Sequence, residues 1–382
     1  MRKNCLKAKY KLTCRIKNDI FYFVNNLFLY DGRIIMSITK SLFGTTPDGR
    51  ETELYTIENS CGVQLSLITY GATIQSISIP CRDGKRRDVV VGFDTLDGHV
   101  NFSDYEGNTV GRYANRLCGA KFTLDGKTYN VTANENGKTC LHGGGEFSKA
   151  VWSAIADTDN SIVMSYTSKA GAEGFPGEMK TKVRFTLTDD NEVVITYTAI
   201  CSADSPINLT NHTYFNLTGS TENNVLEHTL KIDADSFTPT DCDSIPTGEI
   251  RNVRGTAFDF TESKKIGKDI KANDEQLIMC RGYDHNFCLN DNAGAVITVS
   301  EETSGITMQV HTDMPGVQLY TGNFLDGTVT GKKGITYNQR ASVCLETQHY
   351  PDSPNKPEWP SVVLEPGQTY NSECIFKFSI EK

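Results

Sequence analysis

The sequence predicts an all-β protein built as one large antiparallel β-sandwich or barrel. Three observations carry that prediction: alternating runs paired around turn residues, near-absence of helical periodicity, and 32 glycines to supply tight turns. In chain order, residues 122–124 and 129–131 flank Asp125-Gly126, a pair suited to turns that need φ > 0. Residues 183–187 and 193–197 alternate on either side of Asp189-Asp190-Asn191. Residues 296–299 and 306–310 bracket a turn over 301–305. The best helical candidate, 148–156, is too short to be a major element.

The chain has 382 residues, 38 Lys plus Arg against 47 Asp plus Glu, and a net charge of −9. That length allows two or three domains or one large β unit. No linker rich in Pro, Gly and Ser and no fixed-period repeat divides it, so residues 36–382 are expected to form one domain. An acidic chain without long basic tracts is a poor match to a phosphate backbone, which excludes nucleic acid as an expected partner.

Charge is unevenly placed. Residues 1–35 hold eight basic and two acidic residues, leaving 30 basic against 45 acidic in the remainder. The apolar run over 20–30 is shorter than the ~20 residues a membrane-spanning helix needs, and Asn25 and Asn26 interrupt it. No small-residue cleavage site follows, and the segment is Lys-rich without Ser, unlike a transit peptide. Residues 1–35 are therefore expected to be an extension outside the fold, with Met36 as a functional start and no stable membrane association.

The 12 cysteines are widely and irregularly spaced, with no CxxC pair. Zinc sites and redox dithiols carry two-residue spacers, so buried free thiols in a reducing cytoplasm are the expectation. Five N-x-S/T sequons begin at Asn101, Asn130, Asn208, Asn211 and Asn216. Three of these crowd a stretch read here as lining the active site, where a glycan would block access. They are expected to be unused.

Dinucleotide, P-loop, zincin and serine-hydrolase motifs are absent. What stands out is a series of polar residues inside strand-like or loop segments. They are Gly111-Arg112-Tyr113-Ala114-Asn115-Arg116, Leu141-His142-Gly143-Gly144, Asn208-Leu209-Thr210-Asn211-His212-Thr213-Tyr214-Phe215-Asn216, Tyr283-Asp284-His285-Asn286-Phe287, Gln318-Leu319-Tyr320-Thr321-Gly322-Asn323 and Leu345-Glu346-Thr347-Gln348-His349-Tyr350. In this order and at these intervals the set resembles the aldose 1-epimerase (galactose mutarotase) family, from about Met36 to the C terminus. The resemblance includes the tail Leu364-Glu365-Pro366-Gly367. It implies a β-supersandwich with an open carbohydrate cleft, a cofactor-free and metal-free reaction, and a monosaccharide substrate. The protein is expected to be a monomer or weak homodimer.

Interconverting the anomers of a free aldohexose such as galactose or glucose requires one base at the C1 hydroxyl and one acid at the ring oxygen. Glu346 and His212 have the right chemistry, and the resemblance gives them those roles. It also makes His142 a second catalytic histidine near the ring oxygen. Asn115, Arg116, Tyr214, Asp284 and Gln318 are the expected substrate contacts. Arg112 is expected to be structural, and Tyr283, Phe287 and Tyr320 to pack in the core or offer a ring to the sugar. A metal role for the histidines is disfavoured because no His-x-His spacing occurs. Two departures from the family pattern, Tyr113 and His349-Tyr350, leave the acid–base pair intact. Competing readings are a hexose 6-phosphate epimerase, a glycoside hydrolase using Asp284 and Glu346, and a non-catalytic sugar-binding module. The first would need extra cations, the second two acting carboxylates, and the third would dispense with the acid–base pair.

Overall fold

The computed structural model describes residues 37–380 apart from 103, 221, 292 and 293. Before residue 37 it describes only the backbone of four short strands between residues 12 and 34, which pair with one another. The expected extension, 1–35, otherwise lies outside the described residues.

Three antiparallel sheets make the body. A nine-stranded sheet runs in the order Ser153–Thr158, Ser161–Ser168, Met179–Leu187, Glu192–Cys201, Tyr370–Ile380, Ile306–Thr312, Ile297–Glu301, Thr229–Ile232 and Lys264–Lys265. A seven-stranded sheet runs Val90–Val91, Tyr214–Phe215, Val343–Gln348, Gly316–Tyr320, Asp284–Cys288, Ser236–Thr238 and Arg251–Asn252. A five-stranded meander, Ser37–Thr45 to Arg86–Asp88, completes it.

The three expected hairpins are present. Leu124 pairs with Lys127 around Asp125-Gly126, whose φ values are 49° and 74°. Both central residues thus take the left-handed conformation that a two-residue hairpin turn requires. As expected, 148–156 holds no major helix: a four-residue helix, Glu146–Lys149, follows the glycines directly, and Ser153–Thr158 is a strand. Trp152 explains the break. Its indole donates to the Phe147 carbonyl at 3.0 Å, and its ring meets Phe147 edge-on at 5.4 Å. The chain beyond then gains ladder bonds to Ser161–Ser168, which outweigh a weak helical preference.

Period-two alternation sorts the seven-stranded sheet into two faces. Val343, Leu345, Val317, Leu319, Phe287 and Phe215 enter the main core with Val183, Phe185, Val310 and Phe376 of the nine-stranded sheet. Phe215 meets Phe376 edge-on at 5.0 Å. Shortening Leu345 to Ala would cost ~2–5 kcal/mol of cavity and transfer energy. The intervening residues, including Cys344, Glu346, Gln318, Asp284 and Tyr214, project to the opposite face. No helix among the described residues is long and apolar enough to cross a membrane.

Candidate active site

Strand register gathers the opposite face into rows. Asn286 pairs with Gln318, which pairs with Glu346; Asp284 pairs with Tyr320, Tyr320 with Cys344, and Cys344 with Tyr214. Neighbouring strands lie about 4.8 Å apart, so residues from four strands converge although far apart in sequence. Gln318 Nε2 donates to Asp284 Oδ1 at 2.7 Å, orienting that carboxylate.

Loops from outside the sheet bring the histidines. His212 follows the short Thr210–Asn211 strand and is anchored by its backbone, its N–H donating to Asn108 O and its carbonyl accepting from Gly107 N. Its ring stacks on Tyr214 at 5.0 Å, and its Nε2 lies 3.5 Å from Glu346 Oε1. His142 enters on the turn after Cys140–Leu141 with φ 48°, and its N–H donates to Asn115 O. Gly143 (φ 66°) must be glycine, because a Cβ there would lie 2.3 Å from the Gly111 carbonyl oxygen. The Leu-His-Gly-Gly and Gly-Arg motifs therefore pack backbone against backbone.

The result is a cleft of about 400 Å³ lined by Asn115, Arg116, His142, His212, Tyr214, Asp284, Tyr320 and Glu346, together with Asp104, Tyr105, Leu141 and Phe324. Seven of the eight expected site residues line it, and Gln318 stands behind Asp284. Arg116 meets the Glu135 carboxylate through Nε and Nη2 at 2.9 and 2.8 Å. The structural ion pair and the cleft position thus coexist in one residue. Tyr214 donates its hydroxyl to the Asp104 carbonyl and presents its ring under His212. Tyr283 and Phe287 belong to the core, while Tyr320 faces the cleft.

Arg112 is structural as expected, its guanidinium donating to Ser168, Lys169, Pro176 and Gly177. Tyr113 is accommodated by a hydroxyl that donates to Tyr350 O and accepts from Ser353 N, tying this loop to the segment after Glu346. Tyr105, which packs on His142 at 4.5 Å, and Phe324 and Asp104 were not legible in the sequence. Nothing in their local pattern separates them from loop residues.

Burial dominates the electrostatics. Glu346 is 2% exposed and His212 5%. Burial, and then the Asp284 carboxylate, hold Glu346 well above the usual carboxylate range. Burial pushes His212 down to about 4. Burial, then His212 and Arg116, hold His142 well below the ordinary histidine range. Burial also raises Asp284.

One ligand atom each from His142, His212 and Glu346 lie within 4.8 Å of one another, a grouping made by the fold and invisible to spacing rules. The donor set does not fit a resident cation. The Asn115 N–H donates to His142 Nδ1 at 3.2 Å, so the neutral ring carries its proton on Nε2 and has no second lone pair for a metal. The same bond makes His142 Nε2 a fixed donor.

Of the cysteines, seven of the ten described are buried, and Cys61, Cys118 and Cys242 are exposed. All ten are free thiols. Asn208, Asn211 and Asn216 are buried, with side chains bonded to backbone carbonyls.

A family model described as aldose 1-epimerase matches residues 53–377. Galactose mutarotase of Bos taurus is 42% identical over 350 residues, covering 91% of this chain and all of the relative. Aldose 1-epimerase of Escherichia coli K12 is 36% identical over 341 residues, covering 88% and 97%. A solved aldose epimerase homologue from C. elegans superposes with a TM-score of 0.79 at 31% identity, over 91% of this chain and 100% of that one. Galactose 1-epimerase from Lactobacillus acidophilus gives 0.81 at 24% identity over the same shares, a likeness of fold.

Proposed function

The chain belongs to the aldose 1-epimerase family and is an isomerase that interconverts aldose anomers, and from that premise we propose that Glu346 and His212 are the base and acid acting on free aldohexoses such as galactose and glucose. The observation that carries this assignment is the placement of His212 Nε2 3.5 Å from Glu346 Oε1 at the floor of one cleft.

The steps follow from that placement. Glu346 takes the C1 hydroxyl proton as His212 gives one to the ring oxygen. The C1–O5 bond breaks and C1 becomes the aldehyde carbon. After rotation about C1–C2 the oxygen closes on the other face, and both transfers run backwards. The carboxylate–imidazolium state before opening and the acid–imidazole state after it hold the same number of protons. Charge is therefore exchanged within the pair, and the pair titrates as a unit. His142 Nε2–H donates near the ring oxygen without being consumed. Asp284, oriented by Gln318, accepts from neighbouring sugar hydroxyls, and Asn115, Arg116 and Tyr214 complete the contacts.

Among the lining residues Arg116 is the sole permanent cation, and Glu135 already neutralises it. That favours an uncharged sugar over a hexose phosphate. The cleft is complete within one chain, in keeping with a monomer or weak homodimer. The free thiols support a reducing cytoplasm. Acidic composition argues against nucleic acid, and the interrupted apolar run against stable membrane association. Catalysis is read as needing neither metal nor cofactor, since a general acid and base suffice for the chemistry.

Polarimetry on freshly dissolved α-D-galactose and α-D-glucose tests the reading. The protein should accelerate decay to the equilibrium rotation. Decay equal to buffer for both sugars would overturn the substrate assignment.

A further inference from the structure

Beyond Glu346 the same sheet face continues as a buried polar patch that the proposed acid–base step does not use. Asn286 (1% exposed) and Gln348 (0% exposed) have both side-chain amide atoms buried without a hydrogen bond to the protein. Gln318 Oε1 and Glu346 Oε2 share that condition. Buried polar atoms seldom go unpaired, because each costs roughly 1–3 kcal/mol. Six such atoms on one face point to a common partner.

Register shows where that partner sits. Asn286 and Gln318 stand in the row of Glu346, while Gln348 is two residues beyond Glu346 on the same strand, opposite Gly316. Gly316 lets neighbouring side chains close over the backbone there. A Cβ there would lie 2.4 Å from Asn286 Oδ1 and 3.0 Å from the Tyr350 ring, so Asn286 reaches into the space a side chain would fill and Tyr350 covers it. Buried polar groups that lack a protein partner are what ordered water bonds, typically with about three hydrogen bonds each.

We propose that Asn286 and Gln348 are positioning residues which, through ordered water, hydrogen-bond Glu346 Oε2 and aim Oε1 at the hemiacetal. The inference rests on Glu346 being the base. Donation to a carboxylate favours its ionised form, which a base buried among apolar strands needs. The other groups facing Glu346 are Cys344 on its own strand, Tyr320 and Asp284 across the sheet, Tyr214 on the other side, and His212, His142, Arg116, Asp104 and Tyr105 from the loops. None of them is altered by changing the two amides.

The test is the pH dependence of kcat and KM for wild type, Gln348→Met and Asn286→Leu, with a high-resolution crystal structure of the wild type. Removing a donor disfavours the carboxylate, so the acidic limb of kcat should move up by about one pH unit. At a pH on that limb kcat should fall about tenfold, with KM changing less than about threefold. Gln348→Ser keeps a hydroxyl and makes room for another water, so it should retain most of the wild-type profile even if the larger replacements fold poorly. The crystal should show water bonded to both amides and to Glu346. An unshifted limb, a raised KM with unchanged kcat, or a dry space would overturn the inference. A wild-type protein inactive on every aldose would instead overturn the assignment of Glu346 itself.

Discussion

His212 Nε2 faces Glu346 Oε1 across 3.5 Å, one residue on a loop and the other in the middle of a sheet, both buried. That distance lets each reach a different oxygen of one hemiacetal.

Glu346→Gln keeps the shape and hydrogen-bonding reach of the side chain but cannot accept a proton at neutral pH. It should lower kcat by about 10²–10⁴-fold, the usual worth of a positioned base, while a sugar titration by calorimetry still shows binding. Retained activity would assign the base elsewhere.

His212→Asn should be nearly as damaging, whereas His142→Gln should lose less. His142 is held as a donor by the Asn115 N–H, and glutamine can still donate. Single-turnover polarimetry on both variants decides between the roles. Equal losses would show His142 transferring a proton as well.

Asp284→Ala should act mainly on KM, raising it roughly 10–100-fold, since a hydrogen bond to a charged group is worth about 1.5–3 kcal/mol. Initial rates over a range of galactose concentrations would separate this from a kcat effect.

His99 lies edge-on to Phe43 and Phe93, and burial, then Lys332, push it down to about 4 from an ordinary 6.5. Its folded value is below its unfolded one, so between pH 6.5 and about 4 the unfolded chain binds the extra proton. Stability is lost as pH falls through that window, by about 1.4 kcal/mol per unit. His99→Phe removes the group. Relative to wild type it should gain stability steadily from pH 6.5 downward, as urea unfolding at several pH values would show. A constant difference would refute the linkage.

A chain beginning at Met36 should match the full chain in rate and melting temperature, because the family match starts at residue 53 and every cleft residue follows it. Loss of either would give the first 35 residues a part in the fold.

Much of the fold was legible because strand alternation and turn chemistry are local. Asp125-Gly126 announced its hairpin, since few residue pairs tolerate two positive φ values in succession. The weak helical pattern at 148–156 shrinks to one turn where a tertiary contact, Trp152 on Phe147, cuts it. Motifs identified the cleft residues, but Tyr105, Asp104 and Phe324 reach the cleft on loops whose sequence says nothing about destination.

Residue types along the chain were enough to establish a β architecture and to nominate a carboxylate and an imidazole for proton transfer, because alternation, turn preference and side-chain chemistry belong to short stretches. Only the tertiary structure decided that Glu346, Gln318 and Asn286 share one row, that Glu135 holds Arg116, and that His142 is a fixed donor. Those facts depend on strand register and loop packing between distant segments, which local sequence does not encode.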